Sequence, residues 1–242
     1  LVTVNPADCR YLPHRYNAVA AAAAADMGVI GMKVFADAAY YHKSPHFSST
    51  TADVYYEVGS PELDSRDLIR YALSVEGVSN LIVGIGHVDA DPEKCQLTQN
   101  IAAAQMDTPL DAAEMEKIEE RVVSAGKAGA NAYFQRKAPG LTAPRNVGAE
   151  ADSSMPALGR SAVRISWDAA YAGAAPVSRY DVLRNGSVIG SVDHRPQYSP
   201  ERFHFDDVFD GEPDEGPFAY SVKAVDSRCS KAESGTVSAG PL

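Results

Sequence analysis

The chain has 242 residues, of which 45% are apolar and 22% charged, the composition of a globular protein of one or two domains and not of a disordered chain. Its formal net charge of −10 argues against a nucleic-acid surface, which needs clustered Lys and Arg to neutralise phosphates. No apolar run reaches the roughly 18 residues of a membrane-spanning helix, and the Ala-rich stretch at 18–25 is a helix interior rather than an anchor.

Leu1-Val2-Thr3-Val4 reads as a buried strand, closed by the turn formers Asn5-Pro6-Ala7-Asp8. A helix is predicted over 14–26, strong in propensity because it is rich in alanine, with Gly28 just past its end. A second strand follows at 29–35, then an irregular stretch at 36–64 that exceeds ordinary loop lengths. Leu68, Ile69, Ala72 and Leu73 give the helix at 66–75 an apolar stripe. A third strand is predicted at 81–85, a helix at 91–105, and a last amphipathic helix opened by Thr108-Pro109-Leu110-Asp111 and running to about Ser124. These short apolar runs have the pattern of parallel strands covered on both faces. Three of them close no barrel, so this half is expected to be the back end of a larger α/β domain.

Residues 127–143 are Ala/Gly-rich, carry Arg136-Lys137 and Pro139-Gly140, and read as a linker between a first domain at 1–126 and a second at 144–242. Beyond it the period changes from 3.6 to 2, as in Val163-Arg164-Ile165-Ser166-Trp167 and Tyr220-Ser221-Val222-Lys223-Ala224-Val225. Asn185-Gly186 between two β-rich runs is a hairpin signal. About seven short strands with a lone Trp in the second predict an antiparallel sandwich. Cys9, Cys95 and Cys229 are far apart and support neither a zinc site nor a disulfide framework.

Residues 27–35, Met-Gly-Val-Ile-Gly-Met-Lys-Val-Phe, and residues 67–85, which include Arg70-Tyr71-Ala72-Leu73-Ser74 and Leu81-Ile82-Val83-Gly84, resemble the aldo/keto reductases. The resemblance covers about 1–121. It implies a fold class of α/β followed by all-β, the first half being the C-terminal part of a (β/α)8 TIM barrel, about three β/α units, whose N-terminal half would be the missing partner. The second half is similar to fibronectin type III modules through Tyr180-Asp181-Val182-Leu183-Arg184-Asn185-Gly186, Phe205-Asp206-Asp207 and Tyr220 to Asp226. That similarity implies an antiparallel fibronectin type III-like sandwich.

The family moves a hydride from NADP or NAD to a small-molecule carbonyl substrate, with a tyrosine as acid beside Asp, Lys and His. The resemblance places those residues on strands outside this stretch, so no catalytic residue is assigned here and no turnover is expected from the chain alone. It does imply cofactor binding. Met32 stands where an aromatic stacks on the nicotinamide, beside Lys33, while Phe35 and Ala36 take the positions whose backbone meets the pyrophosphate. Gly84, Gly86 and His87 follow the last strand, where the family grips a 2′-phosphate; Gly86 in place of Arg leaves NADP against NAD open, and Lys94 is the compensating cation.

Each of these residues also has a plainer reading. Met32 is equally read as core packing and His87 as an exposed loop residue. His42 and His46 share an i,i+4 spacing that Ser44-Pro45 bars from a regular helix. The tyrosines of the 40–57 loop fit a lid or a packed rim, and Glu116, Glu119 and Glu120 read as a solvated helix face. The rival class is a non-catalytic scaffold whose second half serves adhesion or carbohydrate binding, although no exposed aromatic platform is evident in that half. Modules of this kind point to an extracytoplasmic protein and a reductase needing NAD(P) to the cytoplasm, and an enzyme exported already folded with its cofactor would reconcile the two.

Overall fold

The computed structural model describes residues 1–9, 11–36, 65–86, 88–105, 108–125, 140–151, 160–210 and 217–240. The chain divides into two units, Leu1–Ala138 and Pro139–Leu242.

In the first unit β1 (Val2–Thr3), β2 (Val29–Met32) and β3 (Val78–Leu81) form a parallel sheet in the order β1-β2-β3. Val2 pairs with Gly31 and Val29 with Val78. Gly31 is needed at the centre because a Cβ there would sit 2.7 Å from the Leu81 side chain and 3.5 Å from that of Val4. A 3-10 turn (His14–Tyr16) leads into α1 (Ala18–Ala24). In α2 (Ser65–Leu73) the apolar stripe buries Leu68, Ile69, Tyr71 and Ala72. It packs against α3 (Gln96–Ala104) and α4 (Ala112–Ser124). Asp111 and Glu114 cap α4 reciprocally, each side chain accepting the other's backbone N–H at 2.8 and 2.9 Å. Val4, Val19, Val29, Leu68, Ile69 and Val122 belong to one buried cluster between sheet and helices.

Gly77, at φ +91°, turns the chain from α2 into β3 where a Cβ would meet Ala23 Cβ at 2.9 Å. Both the left-handed backbone and the contact exclude a side chain. Gly77→Ala is expected to lower the unfolding free energy of this unit by more than about 1 kcal/mol, read by urea unfolding.

The expected fold class is corrected by this structure. The described residues hold four α-helices and eleven strands in three sheets, a strand-rich mixed fold with no part of a (β/α)8 barrel. A barrel needs long, tilted strands buried on both faces. Here β1 spans two residues and β2 and β3 four each, and Ser79 and Asn80 in the middle of β3 are exposed. The strand expected at 29–35 stops at Met32 because Lys33 turns left-handed at φ 57°. The strand expected at 81–85 lies at 78–81 instead, leaving Ile82 and Ile85 exposed.

The second unit holds two antiparallel sheets. One contains β6 (Val177–Arg184), β7 (Ser187–Asp193), β9 (Phe218–Asp226), β10 (Lys231–Glu233) and β11 (Val237–Ala239). The other runs β4 (Arg145–Ala151), β5 (Arg160–Asp168), β8 (Phe203–Asp210). β6 and β7 are joined by Asn185-Gly186 at φ 51° and 81°, the signs that a type I′ hairpin turn requires. Trp167 of β5, Phe203 of β8 and Tyr180 of β6 meet with ring centroids 4.9–6.0 Å apart, so both sheets contribute to one aromatic core. Asp207 of β8 accepts hydrogen bonds from Arg184 of β6 and Tyr220 of β9, each at 2.9 Å. Asp207 is buried, so this network links the two sheets inside the unit.

His194 is half-buried and packs against this core. The Tyr180 hydroxyl accepts the Ala170 N–H at 3.0 Å and lies at the same distance from His194 Nδ1, a hydrogen bond whose donor is set by the tautomer of the imidazole. Burial accordingly lowers its pKa below the ordinary 6.5. On acidification the unfolded chain takes up this proton before the folded one does. The stability tied to His194 is therefore present above about pH 6.5 and is lost as pH falls through the folded value. Thermal melts are expected to move down steadily below about pH 6.5, and less so for His194→Asn. An unchanged slope in the variant would refute the linkage.

Candidate functional site

Because β1, β2 and β3 run parallel, their carboxyl ends share one edge of the sheet, the side on which open α/β sheets bind ligands. Asn5 ties two of those ends together. It is buried, its Nδ2 donates to the Lys33 carbonyl at 3.0 Å and to Asp8 Oδ2 at 2.8 Å, and its Oδ1 accepts the Asp8 N–H. The Ala36 N–H donates to the same Lys33 carbonyl at 2.8 Å. Lys33 and Ala36 both hold left-handed backbone, at φ 57° and 47°. Non-glycine residues adopt that geometry at a cost, and such strain concentrates at sites of function.

Of the residues expected to bind a cofactor, Met32, Lys33, Phe35 and Ala36 stand together at the end of β2. Met32 is half-buried and Lys33 exposed, whereas Phe35 and Ala36 are buried in the core cluster, backbone included. On the neighbouring strand the Ile82 N–H donates to the Gly31 carbonyl at 2.8 Å, which brings the chain that leads to Gly84 alongside β2. A Cβ at Gly84 would meet nothing within 4 Å. The Gly86 N–H donates to Gln96 Oε1, so this loop is fastened to the start of α3. Lys94 is an exposed residue paired with Asp91 at 3.5 Å within its own loop. His87 lies outside the described residues, as do His42, His46 and the 40–57 loop.

Two arrangements were not foreseen. Glu119 is buried rather than solvated, held by Arg15 at 2.6 Å and by the Tyr71 hydroxyl at 2.7 Å. Beside it a cavity of about 300 Å³ is lined by Arg15, Tyr16, Ser74, Val75, Leu110 and Met115, and by none of the expected cofactor residues. In the second unit a cleft of about 660 Å³ runs between the start of β4, the end of β5 and the loop before β8. Two tyrosines line it, Tyr171 and Tyr198, which are 50% and 61% exposed. They correct the expectation that this half carries no exposed aromatic platform. The available signal was their setting: each is a lone aromatic, one in the Ala-rich segment Ala169–Pro176 and one in the Pro-bounded segment Arg195–Pro200, where no core alternation calls for one.

Among the described residues no group of three or more His, Cys, Asp or Glu side chains is placed to hold a metal ion, and no helix is long and apolar enough to cross a membrane. Cys9, Cys95 and Cys229 form no disulfide. No protein-family model and no curated protein matches the chain.

Proposed function

We propose that the first unit binds the nicotinamide cofactor of an oxidoreductase that reduces a small carbonyl compound in the manner of the aldo/keto reductases. The observation that carries this reading is the strained end of the central strand, where Lys33 is exposed. Lys33 and Ala36 hold left-handed backbone around one shared carbonyl, at the carboxyl edge of a parallel sheet. A dinucleotide needs backbone N–H groups and a cation near its pyrophosphate, a flat half-apolar surface under its nicotinamide, and room for close approach. Of these, Lys33 supplies the cation, Met32 the half-apolar surface and the open Gly84 the room, and the motif resemblance at 27–35 and 67–85 supports the same assignment. The reading depends on strand ends and motifs and involves no barrel. It gives no residue of this chain the role of proton donor.

Fluorescence titration of the chain with NADPH and with NADH tests it. Saturable enhancement of the reduced nicotinamide emission is expected with at least one of them. Lys33→Gly separates function from structure: glycine relieves the left-handed strain, so stability is expected to hold or rise by up to about 1 kcal/mol while dinucleotide affinity drops severalfold. A folded wild-type chain that binds neither nucleotide would end the proposal.

A further inference from the structure

The cleft of the second unit is built in advance from side chains that hold one another in place. Asp168 is fixed from two sides, its Oδ2 accepting Asn146 Nδ2 at 2.6 Å and its Oδ1 accepting Arg202 Nε at 3.2 Å. Arg202 also donates to the carbonyls of Asn146 and Ser166. Gln197 is fastened at both ends of its amide, accepting the Ala169 N–H at 2.7 Å and donating to the Glu201 carbonyl at 3.1 Å. Arg145 donates through Nε to the Ala169 carbonyl at 3.2 Å and lies over the Tyr171 ring, 4.5 Å from its centroid. The Tyr171 backbone N–H is held by Thr142 Oγ1 at 2.8 Å. A cleft whose groups are already ordered loses little freedom when a ligand arrives.

Its chemistry narrows what that ligand is. Two exposed phenol rings at one opening, Tyr171 by the face that Arg145 leaves uncovered, offer flat apolar faces with polar edges, suited to the alternating C–H faces and hydroxyl rims of a sugar ring. Asp168, Asn146 and Gln197 add acceptors and amide donors, the mixture that hydroxyl groups require because each both donates and accepts. The charges are not balanced: Arg145 and Arg202 face Asp168, the one acidic side chain among the described residues that line the cleft. Arg202 is engaged with Asp168, whereas Arg145 makes no ion pair among the described residues. Its terminal nitrogens, two parallel donors in a fixed fork, match a carboxylate.

We infer that the cleft bounded by Tyr171, Tyr198, Arg145, Asp168 and Gln197 binds an acidic saccharide, stacking a sugar ring on the tyrosines and pairing its carboxylate with Arg145. The site is independent of the cofactor reading, since every residue in it belongs to the second unit.

Calorimetric titration of the full chain with an oligogalacturonate tests this, beside a neutral oligosaccharide of the same length and a poly-glutamate peptide. The oligouronate is expected to bind saturably and at least about tenfold more tightly than either control. Tyr171→Ala and Tyr198→Ala are each expected to weaken it about tenfold, while the phenylalanine variants, which keep the ring, retain most of the affinity. Arg145→Gln is expected to bring the oligouronate down to the level of the neutral sugar, and Arg145→Lys to recover part of the loss. Near-ultraviolet circular dichroism confirms that each variant is folded; the exposed tyrosines leave the core untouched, so they decide the matter if Arg145→Gln does not fold. Absence of oligouronate binding, equal binding of the neutral sugar, tighter capture of the peptide, or affinity unmoved by both alanine variants would each overturn the inference.

Discussion

Glu119→Ala is expected to destabilise the first unit by about 3 kcal/mol, because it leaves the Arg15 guanidinium buried without its counter-charge. Three elements meet at this point. Arg15 from the 3-10 turn donates to Glu119 Oε1 at 2.6 Å and to the Tyr71 hydroxyl at 3.0 Å, and Tyr71 of α2 donates to the same carboxylate oxygen of α4. The Arg15 and Glu119 side chains are only 19% and 9% exposed. Removing one partner of a buried pair costs about 3–5 kcal/mol, and the residual exposure of Arg15 puts this case at the lower end. Arg121 and Asp67 form a useful contrast. They lie as close, at 2.9 Å, but are 48% and 27% exposed, and breaking an exposed pair is expected to cost about 0–1 kcal/mol.

The same argument gives a sharper outcome for the whole network. Burial, reinforced by the Glu119 charge, raises the Tyr71 pKa well above its ordinary value, so the phenol stays protonated and keeps donating. Replacing all three groups by apolar ones of similar size (Arg15→Met, Tyr71→Phe and Glu119→Leu together) removes every charge that needs a partner. That triple variant is expected to recover most of what Glu119→Ala loses. All the described helices belong to the first unit, so denaturant unfolding followed by the helical far-ultraviolet signal reads this unit. A single variant within about 1 kcal/mol of the parent would mean that water solvates Arg15 and that the network carries little.

Much of the local structure was legible in the residues, and the failures have identifiable causes. The alternation at 163–167 and 220–225 marks β5 and β9, and Asn185-Gly186 marks the turn between β6 and β7, because both signals are carried by neighbouring residues. The strand expected at 81–85 was displaced because Leu81-Ile82-Val83 is the most apolar run there, while pairing is decided by partners on β2: Gly31 faces Leu81 and takes the Ile82 N–H on its carbonyl. The motif that suggested a barrel describes a strand and its flanking helix, whereas closure depends on the tilt and length of strands far apart in sequence. Glu119 was misread for a similar reason. Its phase with Met115, Ile118 and Val122 places it on the buried side of α4, but the charge that makes burial tolerable is Arg15, 104 residues upstream. At the sheet edge Lys33 and Ala36 were named, yet Asn5, which holds that edge together, was read as a simple turn former. The saccharide cleft joins loops around Tyr171 and Tyr198, and no local period brings those two residues together.

Trp167→Ala is expected to cost the second unit about 3–5 kcal/mol, the largest single effect foreseen in it. The indole is fully buried, stacked on Phe203 at 6.0 Å and set edge-on to Tyr180 at 5.6 Å. Phe203 stacks in turn on His194, whose imidazole is hydrogen-bonded to the Tyr180 hydroxyl, so the cavity left by the indole would loosen a connected set of rings from both sheets. Such a set cannot relax far, because Tyr180 is also held by the Ala170 N–H and Phe203 by its pairing opposite position 167. Trp167→Phe discriminates between packing and polarity. The indole Nε1 makes no hydrogen bond among the described residues, so phenylalanine removes volume and breaks no polar contact. Its cost is expected to be about half that of alanine or less. Calorimetric or denaturant unfolding followed by near-ultraviolet circular dichroism reads the difference. Equal losses for the two variants would mean that the indole contributes through its N–H, and a loss below about 1 kcal/mol for alanine would mean that the two sheets do not depend on this residue to stay together.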